Sequence, residues 1–127
     1  MSQHVLLVDD DEVLLEVLAT VLGLEEFTTT TAAGGDKGLA AVAAHRPDVI
    51  VCDVTMPQTD GLEVCRRLKA DPTTASIPLV LLTARGGAEH RAAGLEAGCD
   101  AYLTKPFSPL QLIEVLRDVR ATAETRG

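Results

Sequence analysis

Four consecutive acids, Asp9-Asp10-Asp11-Glu12, follow directly on the apolar run Val5-Leu6-Leu7-Val8. One aspartate there would be an ordinary helix cap, its carboxylate accepting exposed backbone N–H groups; four in a row exceed what a cap needs. A lone carboxylate, Asp53, closes a second apolar run, Val49-Ile50-Val51-Cys52. That position suits either a turn residue or a site residue. Thr83 closes a third run after Leu79-Val80-Leu81-Leu82, and Lys105 ends Ala101-Tyr102-Leu103-Thr104 just before Pro106. Both have plain structural readings, a β-branched strand end and a solvated lysine before a turn proline. Both also have chemical ones, a hydroxyl that can donate to a phosphoryl oxygen and an ammonium that can pair with it as a point charge.

Carboxylates about 5 Å apart repel by roughly 3 kcal/mol per pair at an effective dielectric of about 20. A pocket shared by Asp9, Asp10 and Asp53 therefore requires a cation. Hard oxygen donors without a neighbouring histidine or cysteine favour a hard ion, and Mg2+ is the best candidate where waters and phosphate share the site. His4, His45 and His90 are scattered along the chain and receive no ligand role. Cys52, Cys65 and Cys99, odd in number and set among apolar neighbours, read as reduced packing residues and not as a disulfide framework or zinc site.

Positioning these groups requires strands that end at one rim. The pattern predicts strands over 5–8, 27–32, 49–52, 79–82 and 101–104, alternating with helices over 12–22, 36–44, 62–69, 89–97 and 110–121. Three of the strands are apolar at every position, as expected when helices cover both faces of a parallel sheet. Leu14, Val17, Leu18, Val21 and Leu22 form the expected stripe of the first helix, and Leu112, Val115, Leu116 and Val119 that of the last. These elements use nearly all of the 127 residues, which predicts a single α/β domain, a (βα)5 layer sandwich over 1–121 with a frayed polar tail over 122–127. In a doubly wound sheet every strand's carboxyl end lies on the same edge, which brings Asp9, Asp10 and Asp53 together.

The 19 acidic against 11 basic side chains, net charge −8, argue against direct nucleic-acid binding. No apolar run approaches the length of a membrane span. The first residues carry no secretory pattern, so a cytoplasmic location is expected.

Taken in order on four strands, LLVDDDE, VCDVTMPQTDGLEV, LLTAR and AYLTKPF resemble the receiver domain of bacterial two-component response regulators. The resemblance runs from about Val5 to Val119. It implies a flavodoxin-like three-layer sandwich with sheet order 2-1-3-4-5. It also implies Asp53 as phosphoacceptor, with Mg2+ held by Asp10 directly, by Asp9 partly through water, by Asp53 and by the Thr55 backbone carbonyl. Thr83 matches the phosphate-contacting hydroxyl, Lys105 the phosphate-pairing lysine before a cis proline, and Tyr102 the rotating aromatic. The implied donor is a phosphohistidine on a sensor histidine kinase or histidine phosphotransfer protein. The implied output is a changed docking face of the fourth helix, last strand and last helix, presented to an unidentified downstream protein or domain. Such a chain catalyses its own phosphotransfer and dephosphorylation without being a turnover enzyme, and Thr55 and Arg85 match the positions that tune the hydrolysis.

Thr59, Cys99 and Ala101 depart from the commoner pattern. A haloacid-dehalogenase-like phosphohydrolase is the main alternative, but it wants a second aspartate where Thr55 stands. A receiver-like docking module that takes no phosphate is another, against which the complete set Asp9, Asp10, Asp53, Thr83 and Lys105 speaks. The chain is expected to be a stand-alone receiver or a piece of a longer regulator, with Met1 close to the first strand favouring an N-terminal position. Glycines at 34, 35 and 38 and at 86, 87 and 94 should leave the second and fourth helices the least stable.

Overall fold

A computed structural model describes residues 3–84 and 88–126. The five strands are β1 (Gln3–Val8), β2 (Phe27–Ala32), β3 (Val49–Asp53), β4 (Leu79–Thr83) and β5 (Ala101–Thr104). The five helices between and after them are α1 (Glu12–Gly23), α2 (Gly35–Ala44), α3 (Gly61–Ala70), α4 (Ala88–Ala97) and α5 (Pro109–Arg126). All strand pairs are parallel and the order is β2-β1-β3-β4-β5, the expected flavodoxin-like sandwich. The three wholly apolar runs lie within β1, β3 and β4, the interior strands, where side chains must be dry on both faces. The threonine-rich β2 and the short β5 take the two edges.

Alternation along each strand divides the core in two. Leu6, Val8, Ile50, Cys52, Leu79 and Leu81 face Val42 of α2 and Val64, Cys65 and Leu68 of α3. Val5, Leu7, Val49, Val51, Val80 and Leu82 face Leu15, Leu18 and Leu22 of α1 and Leu112, Leu116 and Val119 of α5. One detail of the expected α1 stripe is corrected. The buried face centres on Leu15, Leu18 and Leu22, while Val17 is 50% exposed, because the helical period carries it off the sheet side. The expected tail is corrected too. The backbone of α5 stays helical to Arg126, since residues 121–126 include good helix formers and no glycine or proline interrupts them before Gly127. Among the described residues no helix is long and apolar enough to cross a membrane.

The glycines expected to weaken helices turn out to let elements approach closely. A Cβ on Gly38 would meet the Val8 side chain at 2.9 Å, and one on Gly94 would meet Leu81 Cδ1 at 2.8 Å. Gly86 and Gly87 lie outside the described residues. The helices still differ in anchorage. The described side chains of α4 include no large buried apolar group, and Leu95 is 58% exposed, whereas α1 buries three leucines. Amide exchange in α4 is therefore expected to be faster than in α1 by a factor that hydrogen-exchange mass spectrometry resolves readily. Equal protection of the two helices would contradict this account of their anchorage.

Candidate functional site

β1 and β3 are neighbours at the point where the sheet order reverses, and Val8 pairs with Cys52. The next residue on each, Asp9 and Asp53, therefore projects from the same rim, where ligands bind in open α/β sheets. Asp9, Asp10 and Asp53 each offer a carboxylate oxygen, all within 4.8 Å of one another. Asp9 and Asp53 are buried and Asp10 is exposed, so the cluster is open to solvent on one side.

The four acids after β1 divide their labour. Asp11 is the cap of α1, accepting from the Leu14 N–H at 3.1 Å, and Glu12 lies in the first turn. Asp9 accepts from the Asp11 N–H at 2.9 Å through Oδ1 and from Lys105 Nζ at 3.0 Å through Oδ2. The same ammonium lies 3.2 Å from Asp53 Oδ1. One lysine thus bridges two carboxylates, brought there because β5 ends two strands away on the same rim. The Lys105–Pro106 peptide is cis, as the resemblance implied.

Burial raises the Asp53 carboxyl, the Asp9 charge raises it further, and Lys105 offsets only part of this, leaving it near about 6. Burial alone would depress the Lys105 ammonium. Its hydrogen bond to Asp9 and the charges of Asp53 and Asp9 outweigh that, and it is held above its ordinary value. Three carboxylates against one ammonium leave the pocket short of positive charge. A divalent hard ion would supply the deficit, and an all-oxygen donor set open to water on one side fits the partly hydrated habit of Mg2+.

Asp53 and Thr83 are the last residues of their strands and not the first of their loops, as Asp53 pairs with Leu82 and Thr83 with Thr104. Thr83 is fully buried, its hydroxyl 3.5 Å from that of Thr104. The Lys105 N–H donates to the Thr83 carbonyl at 2.7 Å, which ties β4 to the segment carrying the lysine. Thr55 is exposed in the loop after β3. Tyr102 is 37% exposed on β5, with the Arg91 guanidinium of α4 lying 5.3 Å from its ring centre. Arg85 lies outside the described residues.

Downstream of Asp53 the chain returns to the site through α3. Asp60 caps that helix by accepting the Glu63 N–H at 2.9 Å. Gly61 is pressed against the Asp53 carbonyl, leaving no room for a side chain. Thr59, a departure from the usual pattern, donates to Asp36 Oδ1 at 2.6 Å and so fastens this loop to the start of α2.

Lys69 was legible only as part of a polar helical stretch. Its Nζ is in fact enclosed, donating to the Ala75 and Ile77 carbonyls at 3.1 and 2.8 Å and to Asp100 Oδ2 at 2.8 Å. The cysteines are buried free thiols, as expected, and burial pushes Cys65 up to about 11.

The response regulator receiver domain model matches residues 5–117. Response regulator PleD of Caulobacter vibrioides (strain NA1000 / CB15N) is 44% identical over 119 residues, covering 94% of this chain and 26% of PleD. Response regulator MprA of Mycobacterium ulcerans (strain Agy99) is 44% identical over 117 residues, covering 92% of this chain and 50% of MprA. The chain thus spans half or less of these two curated relatives. The structure of the Vibrio cholerae chemotaxis protein CheY4 superposes with a TM-score of 0.88 at 30% identity, covering 94% of this chain and 99% of that one. The match takes in every strand end that contributes to the acidic rim, and the strand order agrees with it, so the chain belongs to the response regulator receiver domain family.

Proposed function

We propose that this chain, within the two-component phosphorelay signalling its family serves, accepts a phosphoryl group on Asp53 from a phosphohistidine of a sensor histidine kinase or histidine phosphotransfer protein. The observation that carries the reading is the Lys105 ammonium seated between Asp9 and Asp53 at 3.0 and 3.2 Å beside an unfilled charge deficit. An Asp53 carboxylate oxygen attacks phosphorus in line, the P–O bond forms as the P–N bond to histidine breaks, and the leaving imidazole takes a proton from solvent. Lys105 pairs with the incoming phosphoryl oxygens, and the Thr83 hydroxyl donates to one of them. Asp9, Asp10, Asp53 and the Thr55 carbonyl would hold Mg2+. Bound there, the ion supplies neutralising charge for the phosphoryl oxygens.

The product is an acyl phosphate, which dictates the test. With a small acyl-phosphate donor and Mg2+ the full chain should gain one phosphoryl group by intact mass, labile to alkali, and a chelator should prevent the gain. Labelling that survives chelation, or that resists alkali, would overturn the reading. It would equally separate a receiver from a module that merely docks.

Within the same reading, the dianion on Asp53 draws the Thr83 hydroxyl towards it and Tyr102 moves in behind, changing the α4–β5–α5 face. Support comes from the position of Tyr102, which is partly exposed beneath Arg91 on that face. Tyr102 is the single tyrosine and there is no tryptophan, so intrinsic fluorescence reports on it alone. Acyl phosphate plus Mg2+ is expected to lower its quenching by acrylamide. Unchanged quenching on fully labelled protein would rule out this route.

A further inference from the structure

Two of the histidines that lie far apart in the chain meet in the fold, at the opposite edge of the sheet from the acidic rim. His4 opens β1, His45 follows the last turn of α2, and their ring centres are 5.0 Å apart with the planes tilted by 57°. His4 Nε2 is hydrogen bonded to Thr30 Oγ1 of β2 at 2.7 Å, whereas His4 Nδ1 is buried without a hydrogen-bond partner. Assigning the ring proton to Nε2, where it meets the threonine oxygen, leaves Nδ1 with a free lone pair. That is the arrangement an outer partner imposes on a metal-ligating histidine.

We propose that His4 and His45 together bind an imidazole-seeking divalent transition ion, of the Zn2+ class. An imidazole nitrogen sits about 2.1 Å from such an ion, which puts each ring centre about 3.2 Å from it. Centres 5.0 Å apart then subtend about 100° at the ion, close to a tetrahedral angle. Asp48 adds to the site without being a ligand in this geometry. Its Oδ2 accepts the His4 N–H at 2.7 Å, and its own N–H donates to the His4 carbonyl at 2.8 Å. This clamps the turn carrying His45 against β1. His45 is exposed, so the site opens to solvent on its side. The site differs in kind from the acidic pocket, because nitrogen donors select Zn2+, Ni2+ or Cu2+ over Mg2+.

The test uses the full chain with excess Mg2+ present to occupy the acidic pocket. Zn2+ is titrated and followed by calorimetry and by thermal melting, and Co2+ is titrated as a spectroscopic stand-in. We expect one saturable ion per chain with a raised Tm, and visible Co2+ bands of tetrahedral intensity. His45→Gln, at an exposed position that leaves the core intact, should weaken binding at least tenfold, and His4→Gln should do the same. His90→Gln should leave it unchanged. Wild-type affinity retained by His45→Gln, or no saturable Zn2+ binding by the wild type under excess Mg2+, would overturn the proposal.

Discussion

Asp53→Asn is expected to take up no phosphoryl group under conditions in which the wild-type chain labels fully. The amide is isosteric with the carboxylate and can still accept a hydrogen bond from Lys105, so geometry is retained while the nucleophilic oxygen is lost. Intact mass after incubation with the acyl-phosphate donor and Mg2+ reads the result directly, and equal labelling of both proteins would reject Asp53 as acceptor.

The same substitution carries an opposite effect on stability. In the fold the Asp53 carboxyl titrates near about 6, against 3.8 as its ordinary value. Between about pH 4 and 6 the native state therefore holds a proton that the unfolded chain has released, and stability falls as pH rises through that window. Above it the ionised Asp53 costs the fold on the order of 3 kcal/mol at 1.36 kcal/mol per pH unit. Asparagine removes this cost, in which the attraction to Lys105 is already counted, so the net gain at neutral pH is on the order of 3 kcal/mol, about 10 °C in Tm. The gain should fade as pH falls and vanish near about pH 3, where the acid is protonated in both states, and should shrink when Mg2+ is added to the wild type. An Asp53→Asn protein no more stable than wild type at pH 7 without divalent ions would contradict the electrostatic account of the pocket.

Lys69→Met is expected to destabilise the chain by about 3 kcal/mol or more, the usual cost of removing one partner from a buried ion pair. Lys69 and Asp100 side chains are only 15% and 16% exposed. Asp100 Oδ2 also accepts the Leu79 N–H at 2.8 Å, and the Asp100 N–H donates to the Leu79 carbonyl at 2.9 Å. The pair therefore fastens α3 and the segment before β5 to the start of β4, at the end of the sheet away from the acidic rim. A urea titration should show a lower midpoint with an unchanged slope. A loss under 1 kcal/mol would mean that the enclosed ammonium contributes no more than a surface pair.

The positions of Asp9, Asp53, Thr83 and Lys105 were legible because each closes an apolar run, and in a parallel sheet such ends share a rim. Asp11 could not be told from its neighbours by type. It is a cap because the helix begins one residue later, and Asp9 joins the acidic cluster because the residue before it, Val8, is level with Cys52. The first helix shows the same limit, since a stripe one position wide of the true face gave Val17 a place that belongs to Leu15.

Periodicity and composition were enough to reveal the alternation of strands and helices, the dry interior of three strands and the gathering of acids at one edge. Those properties depend on spacing along a few residues, which the chain carries locally. The enclosure of Lys69, the bridge from Lys105 to two carboxylates and the meeting of His4 with His45 needed the folded molecule. Each joins segments tens of residues apart, and which atoms meet there follows from strand register and crossover packing, which no local pattern encodes.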